Sequence, residues 1–196
     1  MSKAIKEWIE EIKNGCDVFS SIKGTPSFDD LLKLKKSISD LNKLIAVEQE
    51  VCFLKKIAPS INPQNADKPN SNGYDVYDSS NNIVAELKGM LPCLENGKKF
   101  GSKQRDEITS DLKGLIEGKK KKQGDPSKLN KYMVMFDGTQ NAIEKLLKNT
   151  SDFEYKSISG KDYAEHKATG ELIEIIYIDT KNSIPQNHID IDFKKF

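Results

Sequence analysis

Apolar residues recur at helical spacing between Ser2 and about Lys13, at Ile5, Trp8, Ile9 and Ile12, and Asn14-Gly15 then supplies a stop. This pattern predicts a short amphipathic helix. A second helical pattern opens after Thr25-Pro26, with Ser27 as its N-cap and Asp29-Asp30 in its first turn, and runs to about Ile57 before Pro59. From Pro59 to Gly73 the chain is rich in Pro, Asn and Ser, with Ile61 the one side chain placed to pack, and reads as a loop. The stretch Gly73 to Gly89, GYDVYDSSNNIVAELKG, sets two short apolar-rich runs on either side of a polar turn, and predicts a β-hairpin. After a loop through Pro92 to Gly101, a helix is expected from Ser102 to Glu117, turning Ile108, Leu112, Leu115 and Ile116 inward. Lys131 to Asp137, KYMVMFD, is an almost unbroken apolar run, as for a strand buried on both faces. Asn141 to Lys148 predicts a short helix, Asp152 to Ile158 an edge strand, and Leu172 to Ile178 a last strand rich in β-branched residues. No internal repeat is present. The order predicts a mixed α/β or α+β domain built around one sheet.

Composition narrows this picture only a little. The 196 residues, 36% hydrophobic and 31% charged, suit a single domain over 1–196, with 1–58 largely helical and 73–178 carrying the sheet. A formal charge of +1 gives no overall pull toward nucleic acid, so any such binding has to come from local patches. Cys16, Cys52 and Cys93 are odd in number and widely spaced, which reads as reduced thiols. The N-terminal stretch lacks the apolar core of a signal peptide and no stretch approaches a membrane span, so a cytoplasmic protein without membrane contact is expected. His166 and His188 belong to no metal-binding or catalytic cluster, and no phosphate-binding glycine loop is present. Asp179, Asp190 and Asp192 read as solubilising residues near the C-terminus.

The hairpin is unusual in carrying acids among its apolar residues. With Ser79 to Asn82 as the turn and symmetric pairing, Tyr77 faces Val84, Val76 faces Ala85, and Asp75 faces Glu86. Alternation along the strand sends Glu86 and Lys88 to one face, and Ala85 and Leu87 to the other. Like charges paired in this way repel, and two readings resolve the conflict. In one, Asp75 and Glu86 are solvated on an outer face with Lys88 as an ion-pair partner. In the other they share a divalent cation, for which hard oxygen ligands favour Mg²⁺.

Asp75, ten intervening residues, then Glu86-Leu87-Lys88, on two adjoining strands followed by a helix, resembles the PD-(D/E)xK signature of restriction-endonuclease-like nucleases. Tyr74 stands where that pattern has proline. The resemblance covers roughly Leu41 to Ile178. It implies a restriction-endonuclease-like core, a central mixed β-sheet flanked by helices in αβββαβ order, behind an N-terminal helical segment. It also implies that Asp75 and Glu86 hold Mg²⁺, for which Mn²⁺ can substitute, while Lys88 assists the attacking water. That family often adds a glutamate from the helix before the hairpin. On a helical wheel Glu48 falls in the middle of the arc formed by Leu41, Leu44, Ile45, Val47, Val51, Cys52, Leu54 and Ala58, with Glu50 opposite; it is either a structural carboxylate bonded to a lysine or the backbone or, as favoured here, a third acidic member of the catalytic set that orients the lysine or holds a second metal.

Basic and polar residues near the helix after the hairpin supply candidate nucleic-acid contacts. These are Lys103, Gln104 and Arg105 in its first turn, where amides and cations can hold a phosphate, and Lys99 with Lys98 just before it. The run Lys119 to Lys122 is either a backbone contact or a solvated loop. The resemblance therefore implies a Mg²⁺-dependent endonuclease cutting double-stranded DNA, of the type II restriction kind, acting as a homodimer whose two-fold axis matches a palindromic site. Alternatives of the same fold are a nuclease of DNA repair, phage defence or RNA cleavage, or a non-catalytic nucleic-acid-binding module.

Overall fold

The computed structural model describes residues 3–21, 26–59, 73–92, 94, 98–119 and 125–179. Expectations that concern Ile61, Cys93, Lys120 to Lys122, His188, Asp190 and Asp192 lie outside the described residues.

The chain is α+β, with a six-stranded mixed sheet in the order β1-β2-β3-β6-β5-β4. The strands are β1 (Val76–Asp78), β2 (Ile83–Leu87), β3 (Asn130–Phe136), β4 (Phe153–Ile158), β5 (Lys161–His166) and β6 (Leu172–Ile178). The helices are α1 (Lys3–Ser21), α2 (Phe28–Ile57), α3 (Ser102–Glu117) and α4 (Gln140–Lys148), with a 3-10 turn at Pro126–Lys128. β2, β3 and β6 run parallel, while β1, β5 and β4 are antiparallel to their neighbours.

Alternation of side chains makes two cores from one sheet. On one face Val76, Ile83, Ala85, Leu87, Val134, Ile176 and Ile178 pack against Phe53 and Leu54 of α2. On the other, Val84, Met133, Met135, Ile173 and Ile175 pack against Ile108, Leu112 and Leu115 of α3 and Ile143, Leu146 and Leu147 of α4. The central strand β3 is buried at five consecutive positions between these layers, which explains its unbroken apolar run. α1 lies outside α2, where Trp8, Ile9 and Ile12 meet Leu44, Val47 and Val51.

Two elements depart from expectation. Gly15 does not stop α1, which continues to Ser21. A Cβ at Gly15 would stand 2.0 Å from the Ser37 hydroxyl, so this glycine permits the close approach of α1 to α2. β5, KDYAEH, has too few apolar residues to read as a strand; it is fixed by a two-residue turn at Ser159 and Gly160, whose φ values of 52° and 79° suit a tight hairpin. At the start of α2, Ser27 and Asp30 form a full capping box, each side chain bonding the other's backbone N–H.

Candidate functional site

The hairpin closes through an Asx turn: Asp78 Oδ1 accepts from Ser80 N at 2.9 Å and Asn81 N at 3.0 Å, and Asn82 takes φ 61°. Its register pairs Val76 with Ala85 and Tyr77 with Val84. Ladder pairing ends at Val76, and Asp75 continues the connection with its side chain, Oδ2 accepting from Leu87 N at 2.8 Å. Asp75 is thereby tied to the end of β2 beside Glu86.

The face that carries Glu86 and Lys88 is not an outer, solvated face. α3 covers it, and Glu86 is only 3% exposed. Burial, followed by the negative charge of Asp75, pushes the Glu86 carboxyl up to about 8, against the opposing pull of Lys119. The repulsion inferred from the pairing pattern is therefore intensified by a dry environment.

Two lysines and a third acid complete the cluster. Lys119 Nζ lies 2.5 Å from Glu86 Oε1 and 3.1 Å from Asp111 Oδ1, and it sits 5.4 Å from the centre of the Tyr74 ring. Burial works against the Lys119 ammonium, but Glu86 and Asp111 together outweigh it and hold its pKa above that of an ordinary lysine. Lys88 Nζ pairs with the other Asp111 oxygen, Oδ2. Tyr74 is buried and donates its hydroxyl to the carbonyl of Gly114 at 3.2 Å. The cluster stands at the C-terminal end of β2, where Lys88 N donates to Val134 O of the parallel neighbour β3 at 2.8 Å. Such strand ends are the usual place for ligands in open sheets with parallel strands.

Asp111 and Gly114 escape a motif-based reading, and Lys119, expected as part of a basic run in contact with DNA or solvent, pairs with acids instead; each left a signal. Asp111 adjoins Leu112 on the flank of the buried stripe of α3. Gly114 is an interior helical glycine, which costs about 1 kcal/mol against alanine and so implies a packing reason. That reason is Lys119, whose Cε would stand 2.9 Å from a Cβ at this position. Lys119 itself follows Gly118, whose φ of 82° turns the chain at the end of α3.

The other expected site residues form no part of the ion pairs among Glu86, Lys88, Asp111 and Lys119. Glu48 is half-buried on α2, the layer covering the opposite face of the sheet, and its carboxyl is raised by burial and eased by Lys55 along the same helix. Both its oxygens are buried without a hydrogen-bond partner among the described residues. The residue of α2 that reaches the strand end is Gln49, whose Nε2 donates to Lys88 O and Val134 O, each at 3.2 Å. Gln104 accepts from Gly101 N and donates to Leu91 O, both at 2.9 Å, and so caps α3. Lys103 is exposed beside Glu107. Lys99 and Arg105 line a groove of about 670 Å³ together with Thr109, Lys145, Asn149 and Asp152. At 3.6 residues per turn, Arg105 and Thr109 lie more than about 100° around α3 from Asp111, so this groove opens on the other flank of the helix.

Asp75, Glu86 and Asp111 offer carboxylate oxygens, the donor type that a hard divalent cation such as Mg²⁺ takes. Burial first, and then the charge of Asp75, raises Glu86, and a cation held beside it would oppose both. Among the described residues no three His, Cys, Asp or Glu side chains are grouped so that they could hold a metal ion; ammonium groups stand against these acids instead. No described helix is long and apolar enough to cross a membrane. Comparison with protein-family models, curated proteins and solved structures finds no match.

Proposed function

We propose that this chain is a Mg²⁺-dependent endonuclease that hydrolyses phosphodiester bonds of double-stranded DNA at a defined site, as a type II restriction enzyme with a restriction-endonuclease-like core does. One observation carries the reading: Asp75, Glu86 and Lys88 gather with a further acid, Asp111, in a partly buried cluster, with Glu86 at its buried end, at the C-terminal end of a parallel strand. A surface ion-pair group would have no need of this burial, since exposed pairs contribute little and buried ones must offset a large desolvation cost.

In this reading Asp75 and Glu86 hold the metal and Asp111 stands beside them. Mg²⁺ bound there supplies positive charge to the phosphoryl oxygens. Lys88 is the group of the chain closest to the water's work. Asp111 orients its ammonium, Gln49 fixes its backbone carbonyl, and the parallel ladder fixes its amide. An ammonium so held orients a water for attack on phosphorus and balances charge as it develops. Glu48, next to Gln49 on α2, is the further acid that orients Lys88 or holds a second metal. Lys99 and Arg105 contact the DNA backbone away from the scissile phosphate. Two chains act together so that both strands of a two-fold site are cut.

The test is incubation of the full chain with phage and plasmid DNA in Mg²⁺, with EDTA, Ca²⁺, Asp75→Ala and Lys88→Ala controls. Discrete fragments that vanish in every control are expected. Absence of cleavage by folded protein, or cleavage that persists in Asp75→Ala, would overturn the proposal.

A further inference from the structure

Lys119 holds a position that the hairpin motif does not account for. Its Nζ stands against oxygens of two separate carboxylates, Glu86 Oε1 at 2.5 Å and Asp111 Oδ1 at 3.1 Å, with the Tyr74 ring beside it. The position is built rather than accidental. Gly118 turns the chain back at the end of α3, and Gly114 leaves the space in which the lysine stem lies. The Lys119 side chain is 25% exposed against 4% for Glu86, so the lysine has a way out to solvent that the acid lacks.

Charge counting defines what this ammonium does. With all three acids ionised, as metal ligation requires, Asp75, Glu86 and Asp111 carry three negative charges, and Lys88 and Lys119 return two positive ones. Exchanging Lys119 for a divalent cation makes the balance even, because two charges replace one. Adding the cation while Lys119 stays would leave an excess positive charge and two cations competing for the same oxygens.

We infer that Lys119 is a resident counter-ion of the acidic cluster, which a divalent metal must displace from Glu86 and Asp111 in order to bind. Lys119 thereby sets the metal affinity of the site without being a ligand. The inference rests on the metal-site reading of the proposed function and deepens it.

Isothermal titration of the full-length protein with Mn²⁺ alone tests the exchange. Lys119→Met removes the competitor and is expected to bind Mn²⁺ about tenfold more tightly than the parent chain. Lys119→Arg keeps a cation with more donors, and is expected to bind no more tightly than the parent. Gly114→Ala leaves every acid in place and disturbs only the lysine stem, so it is expected to shift affinity in the same direction as Lys119→Met. Circular dichroism establishes that each variant is folded.

Equal affinity in parent and Lys119→Met, or weaker binding in Lys119→Met, would overturn the exchange while leaving the metal site intact. Absence of Mn²⁺ binding in every variant would overturn the metal reading as well. Tighter binding by Lys119→Met without any DNA cleavage by the parent would leave the exchange standing and remove the nuclease.

Discussion

Replacing Glu86 by glutamine should stabilise the metal-free protein, by an amount that grows with pH. The Glu86 carboxyl is pushed from the ordinary 4.5 up to about 8, first by burial and then by Asp75. Below pH 4.5 both folded and unfolded chains carry a proton there, and the substitution changes little. Between 4.5 and 8 the folded chain retains a proton that the unfolded chain has lost, so wild-type stability falls by about 1.4 kcal/mol for each pH unit. At pH 7 the accumulated penalty is on the order of 3 kcal/mol, and above pH 8 it stops growing. Glutamine matches the volume and escapes the charge penalty. Urea denaturation of both proteins in EDTA at pH 5, 6, 7, 8 and 9 measures the difference. A gap of under about 1 kcal/mol at pH 5 that widens up to pH 8 is expected. A pH-independent gap, or a glutamine variant less stable at pH 8, would refute the reasoning, since the Lys119 pair would then more than offset the desolvation of the carboxylate.

Three other perturbations probe different layers. Gln49→Leu leaves the carbonyls of Lys88 and Val134 without their side-chain donor, and should cost about 1–3 kcal/mol in urea denaturation; a loss under about 0.5 kcal/mol would show that these acceptors find another partner. Gly15→Ala should destabilise the α1–α2 contact by about 1–3 kcal/mol despite alanine's better helix propensity, and adding Ser37→Gly should restore most of the loss. The Cys52 thiol is pushed up to about 11, mainly by burial, so in a chain with Cys16 and Cys93 changed to serine it should react with iodoacetamide at pH 8 about a hundredfold more slowly when folded than when unfolded in urea. Similar rates in the two states would contradict that environment.

The hairpin and the elements around β3 were legible because their signals are local. The register of β1 and β2 follows from a turn of fixed length, and the burial of β3 from a run of apolar residues. Helix α2 misled for a physical reason. It is enclosed on two sides, by α1 and by the sheet, so a single apolar arc does not describe it: Leu41 is exposed, while Gln49 and Glu50 are buried. Asp111 and Lys119 could not be joined to Glu86 from spacing, because that contact depends on how a crossover helix lies across a strand. The face of Glu86 could be derived from alternation, whereas its coverage by α3 could not.

The clustered charges also shape the order in which the molecule assembles. Lys88 meets Asp111, and Glu86 meets Lys119, across roughly 20–30 residues of intervening chain, whereas the hairpin joins neighbours a few residues apart. A hairpin can therefore form while Glu86 is still hydrated, and the carboxylate loses its water only when α3 docks. If α3 docks after the folding barrier, the electrostatic cost falls on its native side. Neutralising Glu86 should accordingly slow unfolding and leave the refolding rate nearly unchanged, as contacts made after the transition state do. Detachment of α3 then returns Glu86 to water, and a cation bound at the cluster would act kinetically as a latch on that helix.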